Sequence, residues 1–305
     1  METQRIIRIP ELPDLESLRP LVARKRALER AFLAIAIVGA VIIFGILLIL
    51  LLGVALRGLP YLTPTFLTSP PSRFPEKAGV LPALVGSLWL IVLTGAISIP
   101  VGVLSAVYLE EYAPRNRIRR WLLLNISNMS GIPAIMYGVL GLVIFVKLMA
   151  LGNSILAGSL TMSLLVLPII VISTVEAIRL VPRSYREASL ALGATKWQMV
   201  TRTVLPAAMP GIVSGILLAL ARALGEAAPL VTIGALAYVA HVPTSVFDPF
   251  TVLSIQIFGW ASRPSSDFLG LAAAAIIVLL AIVFLLTIAS VVIRTRAIRM
   301  RGGIR

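Results

Sequence analysis

The sequence has no cysteine and one histidine, His241. That leaves no material for a disulfide, a thiol nucleophile or a thiolate metal site, and little for a histidine-built metal cluster. Charge is scarce too: Asp, Glu, Lys and Arg make up 13% of the 305 residues, against 59% hydrophobic residues and a mean hydropathy of +1.01. Soluble domains carry about 25% charged residues, so a chain this apolar cannot cover itself with polar surface, and lipid is the solvent left. Acidic residues are the scarcer sign, 13 against 27 basic ones, for a net charge of +14. On a soluble chain that excess would suit nucleic acid; on a membrane chain it sets orientation, so no nucleic-acid partner is inferred. Motifs are missing as well. Without G-x-x-x-x-G-K-[ST] the chain cannot hydrolyse ATP alone, and lacking G-x-S-x-G, H-E-x-x-H and a pair of membrane aspartates it is not read as an intramembrane hydrolase. No cofactor is implied.

What is present is a series of charge-free stretches, at 31–56, 78–109, 121–146, 148–175, 203–221, 227–247 and 268–293. A bilayer crossing takes about 20 residues. The first stretch is 26 residues long, well past the roughly 7 to 15 of a signal-peptide core, and reads as a retained anchor. Positive charge decides between six and seven crossings. With six helices and a cytoplasmic N-terminus, 21 basic residues fall inside and five outside, with Arg222 in the membrane; seven helices separate the charge less well. The expected organisation is therefore all-α and polytopic, set in a cell membrane among lipid with both termini cytoplasmic. It comprises a tail at 1–30, a first transmembrane helix at 31–56, a core at 78–293 with five transmembrane helices and a cytoplasmic loop at 176–206, and a C-terminal tail at 294–305. Helix five is placed at 207 to about 232, and the apolar remainder up to 267 is read as an outer folded or re-entrant segment. Within the N-terminal tail, Leu18–Arg30 reads as an interfacial helix and the part before it as flexible or surface-lying.

The inner loop carries two helix-start signals. Ser184 with Glu187, and Thr195 with Gln198, each have capping-box spacing. A first short helix is expected from Ser184 to Leu192, stopped by Gly193, and a second from Thr195 until Pro206 interferes. Tyr185, Ala188 and Leu192 share one narrow apolar face flanked by Arg183 and Arg186. Such a face either packs on its own loop or seats in a groove of a partner protein.

Arg222 and Glu226 are opposite charges inside an apolar span, four residues apart and so on one face of helix five. A charge at mid-bilayer costs about 2.5 to 3.5 kcal/mol on insertion scales, so the pair must face protein or water. Arginine is a permanent forked donor suited to an oxyanion. Two readings stand: an anion site gated by Glu226, or a structural salt bridge. Ser87, Thr94, Ser98 and Ser105 align along helix two, either as inter-helix glue or as path lining. Asn125, Ser127, Asn128 and Ser130 make helix three polar near its inner end, where Gly131 and Pro133 predict a kink or a close crossing. Trp121 and Trp260 read as interfacial belt residues, His241 as solvated, and Glu110 and Glu111 as part of a solvated loop with local pairing.

The run Glu187-Ala188-Ser189-Leu190-Ala191-Leu192-Gly193, followed by Leu205-Pro206, resembles the EAA loop of binding-protein-dependent ABC importer permeases, with Ser189 departing from the strict third position. In that family the loop is the coupling helix, which sits in a cleft of the ATPase subunit. The resemblance implies an ABC importer type I (MetI-like) permease fold and assigns Arg183, Ser184, Tyr185, Glu187, Ala188, Leu192 and Gly193 to ATPase coupling. Further runs are similar to the phosphate-specific permeases: Gly79–Ser87, Tyr108–Ala113, Gly131–Gly138, Val181–Ser184 and Arg222–Pro229. Ala228-Pro229 and Gln256–Ser262 look like the PstA subunit rather than its PstC partner. This implies a non-catalytic permease subunit forming half of an ATP-driven path for inorganic phosphate. Its implied partners are an ATP-binding subunit dimer, a PstC-like second permease and a periplasmic or extracellular phosphate-binding protein, and Arg222 and Glu226 are implied in translocation. Sulfate, molybdate or phosphonate are alternative substrates. A proton-coupled secondary transporter using Glu226 is the rival class, and it would have no use for a capped cytoplasmic helix pair.

Overall fold

The computed structural model describes residues 15–235 and 238–302, so the reading of the first part of the N-terminal tail lies outside the described residues. The chain divides into two units at Gly53. The first carries most of α1 (Leu15–Gly58). No glycine or proline occurs from Leu21 to Val38, so the expected Leu18–Arg30 helix continues into the apolar window as one rod. In chain order there follow α2 (Pro64–Thr68), α3 (Leu81–Val107), α4 (Arg117–Met129), α5 (Ala134–Gly141), α6 (Ile155–Arg179), α7 (Arg183–Ala191), α8 (Lys196–Met199), α9 (Leu205–Gly225), α10 (Ala228–Thr232), α11 (Leu253–Ala261) and α12 (Ser266–Gly302). Among the described residues, five helices are long and apolar enough to cross a membrane. A sixth is added when α4 and α5, bent by 98°, count as one span.

That bend falls where the kink was expected. Gly131 and Pro133 interrupt the helix, Pro133 caps α5 with φ −54° and ψ 132°, and Tyr137 Oη ties the limbs by donating to the Met129 carbonyl at 2.6 Å. Helix five departs from expectation at both ends. Pro206 does not stop it, because a π-helical turn at Val200–Val204 joins α8 to α9. A proline ring normally collides with the carbonyl four residues earlier, here that of Arg202, and the wider turn moves that carbonyl aside. At the other end the helix stops at Gly225 rather than near 232. Glu226 turns extended (φ −88°, ψ 115°), and a new short helix starts with Pro229 in its first turn. Among the described residues, the candidate seventh span at 227–247 holds only the five-residue helix α10.

Helices in lipid gain no hydrophobic drive against one another, so close approach and hydrogen bonds hold them together. Small residues sit where neighbours cross: a Cβ on Gly102 would meet Ile170, on Gly215 it would meet Ser173, and on Gly141 it would meet Thr161. The α3–α6 and α6–α9 seams bury Leu90, Met162, Val166, Ile170 and Ile212. Ser214 and Ser290 hydrogen-bond at 2.7 Å between α9 and α12. A second core surrounds Trp260, whose ring lies 6.1 Å from that of Phe66. Trp260 is thus buried among helices and is no belt residue; Trp121 is exposed.

The irregular stretch after α10 is pinned to the start of α6. Ile155 N donates to the Asp248 carbonyl at 3.2 Å and Leu156 N to that of Val246 at 2.9 Å. The Asp248 carboxylate accepts from the backbone N–H groups of Thr244 at 2.8 Å and Ser245 at 2.9 Å. Those two donors hold its carboxyl below the usual carboxylate range, and the exposed His241 assists weakly.

Candidate functional site

The loop between α6 and α9 folds into a lever. Pro182 precedes α7 with φ −57° and no side-chain cap. This corrects the expected capping box at Ser184: the helix begins one residue earlier, at Arg183, so the Ser184 hydroxyl lies inside the first turn and does not cap it. The exit follows expectation. Gly193 takes φ +81°, its N–H donates to the Leu190 carbonyl at 2.9 Å, and Ala194 N donates to that of Ser189 at 3.2 Å. These are the paired bonds of a Schellman cap. The second box is present in full, with Gln198 N on Thr195 Oγ1 at 3.3 Å and Thr195 N on Gln198 Oε1 at 2.9 Å. The result is two short helices set at an angle by a glycine.

What this lever presents is apolar and unpaired. Leu192 is 89% exposed and Tyr185 48% exposed. With Ala188 they line one side of an open groove of about 420 Å³ that continues over Gln198 and Thr203. Glu187 and Arg183 are exposed beside it.

Arg186 is not part of that free surface. Its guanidinium turns inward to Glu111 Oε1 (Nε 3.0 Å, Nη2 2.7 Å) and donates to the carbonyls of Val181 at 2.7 Å and Ile178 at 3.0 Å. Glu111 lies in a π-helical turn, Tyr108–Tyr112, that ends α3. Its neighbour Glu110 receives Arg119 from α4 and, at 3.0 Å, Arg179 from α6. The two carboxylates are only 11% and 7% exposed, which corrects their reading as solvated; the expected local pairing is present in Arg119–Glu110. They form a part-buried clamp joining the ends of α3, α4 and α6 to the lever. Two partners lie 69 and 75 residues away in sequence, so spacing offered no signal. The run Glu110-Glu111 before four arginines was the one visible hint.

The hydroxyl stripe of α3 is placed in a seam. Ser87 (4% exposed) donates to the Ala83 carbonyl and accepts from Leu253 N at 2.9 Å. Thr94 Oγ1 lies 3.4 Å from the Ser159 carbonyl, Ser163 donates to the Thr94 carbonyl, and Ser98 donates to it at 2.6 Å. Thr94 and Ser98 are thus buried and bonded in the α3–α6 seam, while Ser87 is bonded to the start of α11 and borders a cavity between α3 and α9. Ser105 is half-buried.

Arg222 and Glu226 are not paired. Their expected contact needed a helix through both, and the helix ends between them. Arg222 stands exposed in the last turn of α9 with no carboxylate within 4.0 Å among the described residues, while Glu226 is half-buried just past the helix end. The helix dipole favours a cation in that last turn, but the guanidinium has no counter-ion among the described residues.

Comparison with known proteins places this arrangement. Residues 98–299 match the binding-protein-dependent transport system inner membrane component family. The chain belongs to that family. Among curated relatives, a probable ABC transporter permease protein of Bacillus subtilis, YqgI, is 32% identical over 80% of this chain and 88% of its own. The phosphate transport system permease protein PstA of Yersinia pestis is 31% identical over 92% of this chain and 94% of its own. PstA 1 of Mycobacterium tuberculosis is 36% identical over 74% of each. A chain of the MetNI methionine ABC transporter in an inward-facing form superimposes with a TM-score of 0.56 at 21% identity, covering 72% of this chain and 94% of that one. A chain of a bacterial alginate ABC transporter gives 0.62 at 18% identity, covering 87% and 94%. These likenesses show the fold, that of MetI-type importer permeases. The permease is thus a multi-pass membrane subunit of an ABC importer.

Proposed function

We propose that this permease forms half of the translocation path of an ATP-driven phosphate importer, itself non-catalytic, with both termini cytoplasmic. A separate ATPase dimer drives it through the groove beside Tyr185, Ala188 and Leu192. A second, PstC-like permease completes the path, and an external binding protein delivers phosphate. The single observation that carries the coupling role is an apolar, doubly capped lever left uncovered on its outer side while Arg186 ties its inner side to the spans. A lever of that build has a purpose only if another subunit pushes it. Phosphate as substrate is supported by the PstA relatives and by Arg222, whose fork can receive two oxygens at once.

Arg222 is exposed with no counter-ion among the described residues, and a charge in a span must face protein or water. We place it on the path shared with the second permease. There the anion competes with a carboxylate, from Glu226 after a small shift or from the partner, so that binding stays weak enough for release. The test is uptake of labelled phosphate in cells lacking this chain, complemented by wild type or Arg222→Gln. Wild type should restore ATP-dependent uptake that excess sulfate does not suppress, and the variant should assemble without transporting. Normal uptake by the variant removes Arg222 from the path, and uptake that persists without the ATPase removes the importer reading altogether.

A further inference from the structure

Beside the clamp the chain holds a basic cavity that the transport reading does not use. It measures about 430 Å³, and its walls include Arg115, Arg119, Arg120, Arg179, Leu123 and Leu124. It opens where three spans end together: Arg179 closes α6, Glu110 lies in the turn that closes α3, and Arg115–Arg120 leads into α4. This is the end of the bundle that carries the lever, so on the orientation proposed above it lies at the inner headgroup layer.

Its charge is unbalanced. Glu110 Oε2 is shared by Arg119 and Arg179, and Glu111 is taken by Arg186. Arg115 and Arg120 have no carboxylate within 4.0 Å among the described residues. Four guanidinium groups thus share one carboxylate around a space large enough for a small anionic group. Guanidinium forks match phosphate oxygens better than a point charge does. The same wall becomes apolar one helical turn further on. Leu123 packs inward against the α3–α6 contact, while Leu124 is 56% exposed and so is the neighbouring Trp121, at 61%. Phosphate next to hydrocarbon is the chemistry of a lipid, and a free anion would have no use for the leucines.

We propose that this cavity binds the phosphate headgroup of an anionic glycerophospholipid of the inner leaflet, with Leu123 and Leu124 meeting the first part of an acyl chain. Because Arg119 and Arg179 belong both to the cavity and to the clamp, the lever is then anchored to the bilayer as well as to the spans.

The experiment is native mass spectrometry of the whole purified complex titrated with phosphatidylglycerol or phosphatidylcholine, with inorganic phosphate as competitor. Wild type should retain phosphatidylglycerol in preference to phosphatidylcholine. Arg115→Gln with Arg120→Gln should weaken that retention about 25-fold, since each basic residue near a charged headgroup contributes roughly a fivefold factor. Arg115→Lys with Arg120→Lys, which keeps the charge and loses the fork, should weaken it less than the Gln pair does. Four results overturn the proposal: equal retention by the Gln variant, equal loss in the Lys variant, displacement of the lipid by millimolar inorganic phosphate, or loss of the ATPase subunit with the lipid count unchanged. The last would make the cavity a protein contact. If the Gln variant fails to assemble, the lipid preference and phosphate competition of wild type and the Lys variant still decide. The readout is lipid retention and not uptake, so its failure leaves the importer reading standing.

Discussion

Arg186 and Arg183 sit three residues apart on one short helix and do opposite things. Arg183 is solvent-facing, whereas Arg186 makes contacts with Glu111 and two carbonyls at the end of α6. Leaving a part-buried hydrogen-bonded charge without its partner costs about 1 to 2 kcal/mol. Glu111→Gln, facing an Arg186 that is 19% exposed, should therefore lower the stability of the subunit by roughly that amount, read as a drop in the thermal midpoint of the reconstituted complex. It should also raise the ATP hydrolysed per phosphate taken up, since the lever would no longer pull on α3. Arg183→Gln should disturb the same ratio through the ATPase contact without moving the midpoint. A Glu111→Gln complex with unchanged midpoint and unchanged ratio would show the clamp to be idle. Residue-scale chemistry was the least legible part of the sequence. Glu226 reads as a helical neighbour of Arg222 by spacing alone, although Gly225 and Pro229 are local signals that α9 ends between the two charges.

At the scale of elements the sequence is read best where the physics is local. Thr195 and Gln198 form their box because both partners lie within one turn, and Gly193 ends α7 because the left-handed conformation it takes costs other residues about 1 to 2 kcal/mol. Ser184 and Glu187 have the same spacing and form nothing, because Pro182 starts the helix first. Pro206 shows the converse: a strong breaker by rule, it is absorbed by a π turn whose Val200 and Val204 are buried in the core. Charge and length made countable the five spans, six with the bent pair, while both ends of the fifth lie elsewhere than expected. Gly193 gives a clean element-scale test. A Cβ there would meet nothing within 4 Å, so Gly193→Ala carries only the left-handed backbone penalty, about 1 kcal/mol. That cost should appear as roughly fivefold faster hydrogen exchange at positions 193 and 194, whose amides make the cap bonds, with the transmembrane helices unaffected. Unchanged exchange at those two amides would mean that the cap does not hold the angle between α7 and α8.

For the whole molecule the decisive question is which end of the bundle faces which compartment, and α6 supplies a ruler. At its start Ile155 and Leu156 bond the loop at 246–248; at its end Ile178 and the following Val181 receive Arg186 of the lever. Twenty-five helical residues separate the two ends, about 37 Å at 1.5 Å per residue, which is more than a hydrocarbon core. The lever and the 246–248 loop therefore lie on opposite sides of any bilayer that α6 crosses, and only α9 connects them. A seventh helix at 227–247 would instead have returned residue 247 to the lever's side. Since the chain has no cysteine, Leu192→Cys and Phe247→Cys each introduce a single thiol at an exposed site. In intact cells an impermeant maleimide should label the residue-247 thiol at once and the residue-192 thiol only after the membrane is opened. The second reaction should slow when the ATPase is present, because the groove beside Tyr185 is then covered. Labelling of both thiols from one side would break the six-span arrangement, and with it the placement of the lever, the clamp and the basic cavity at the inner face.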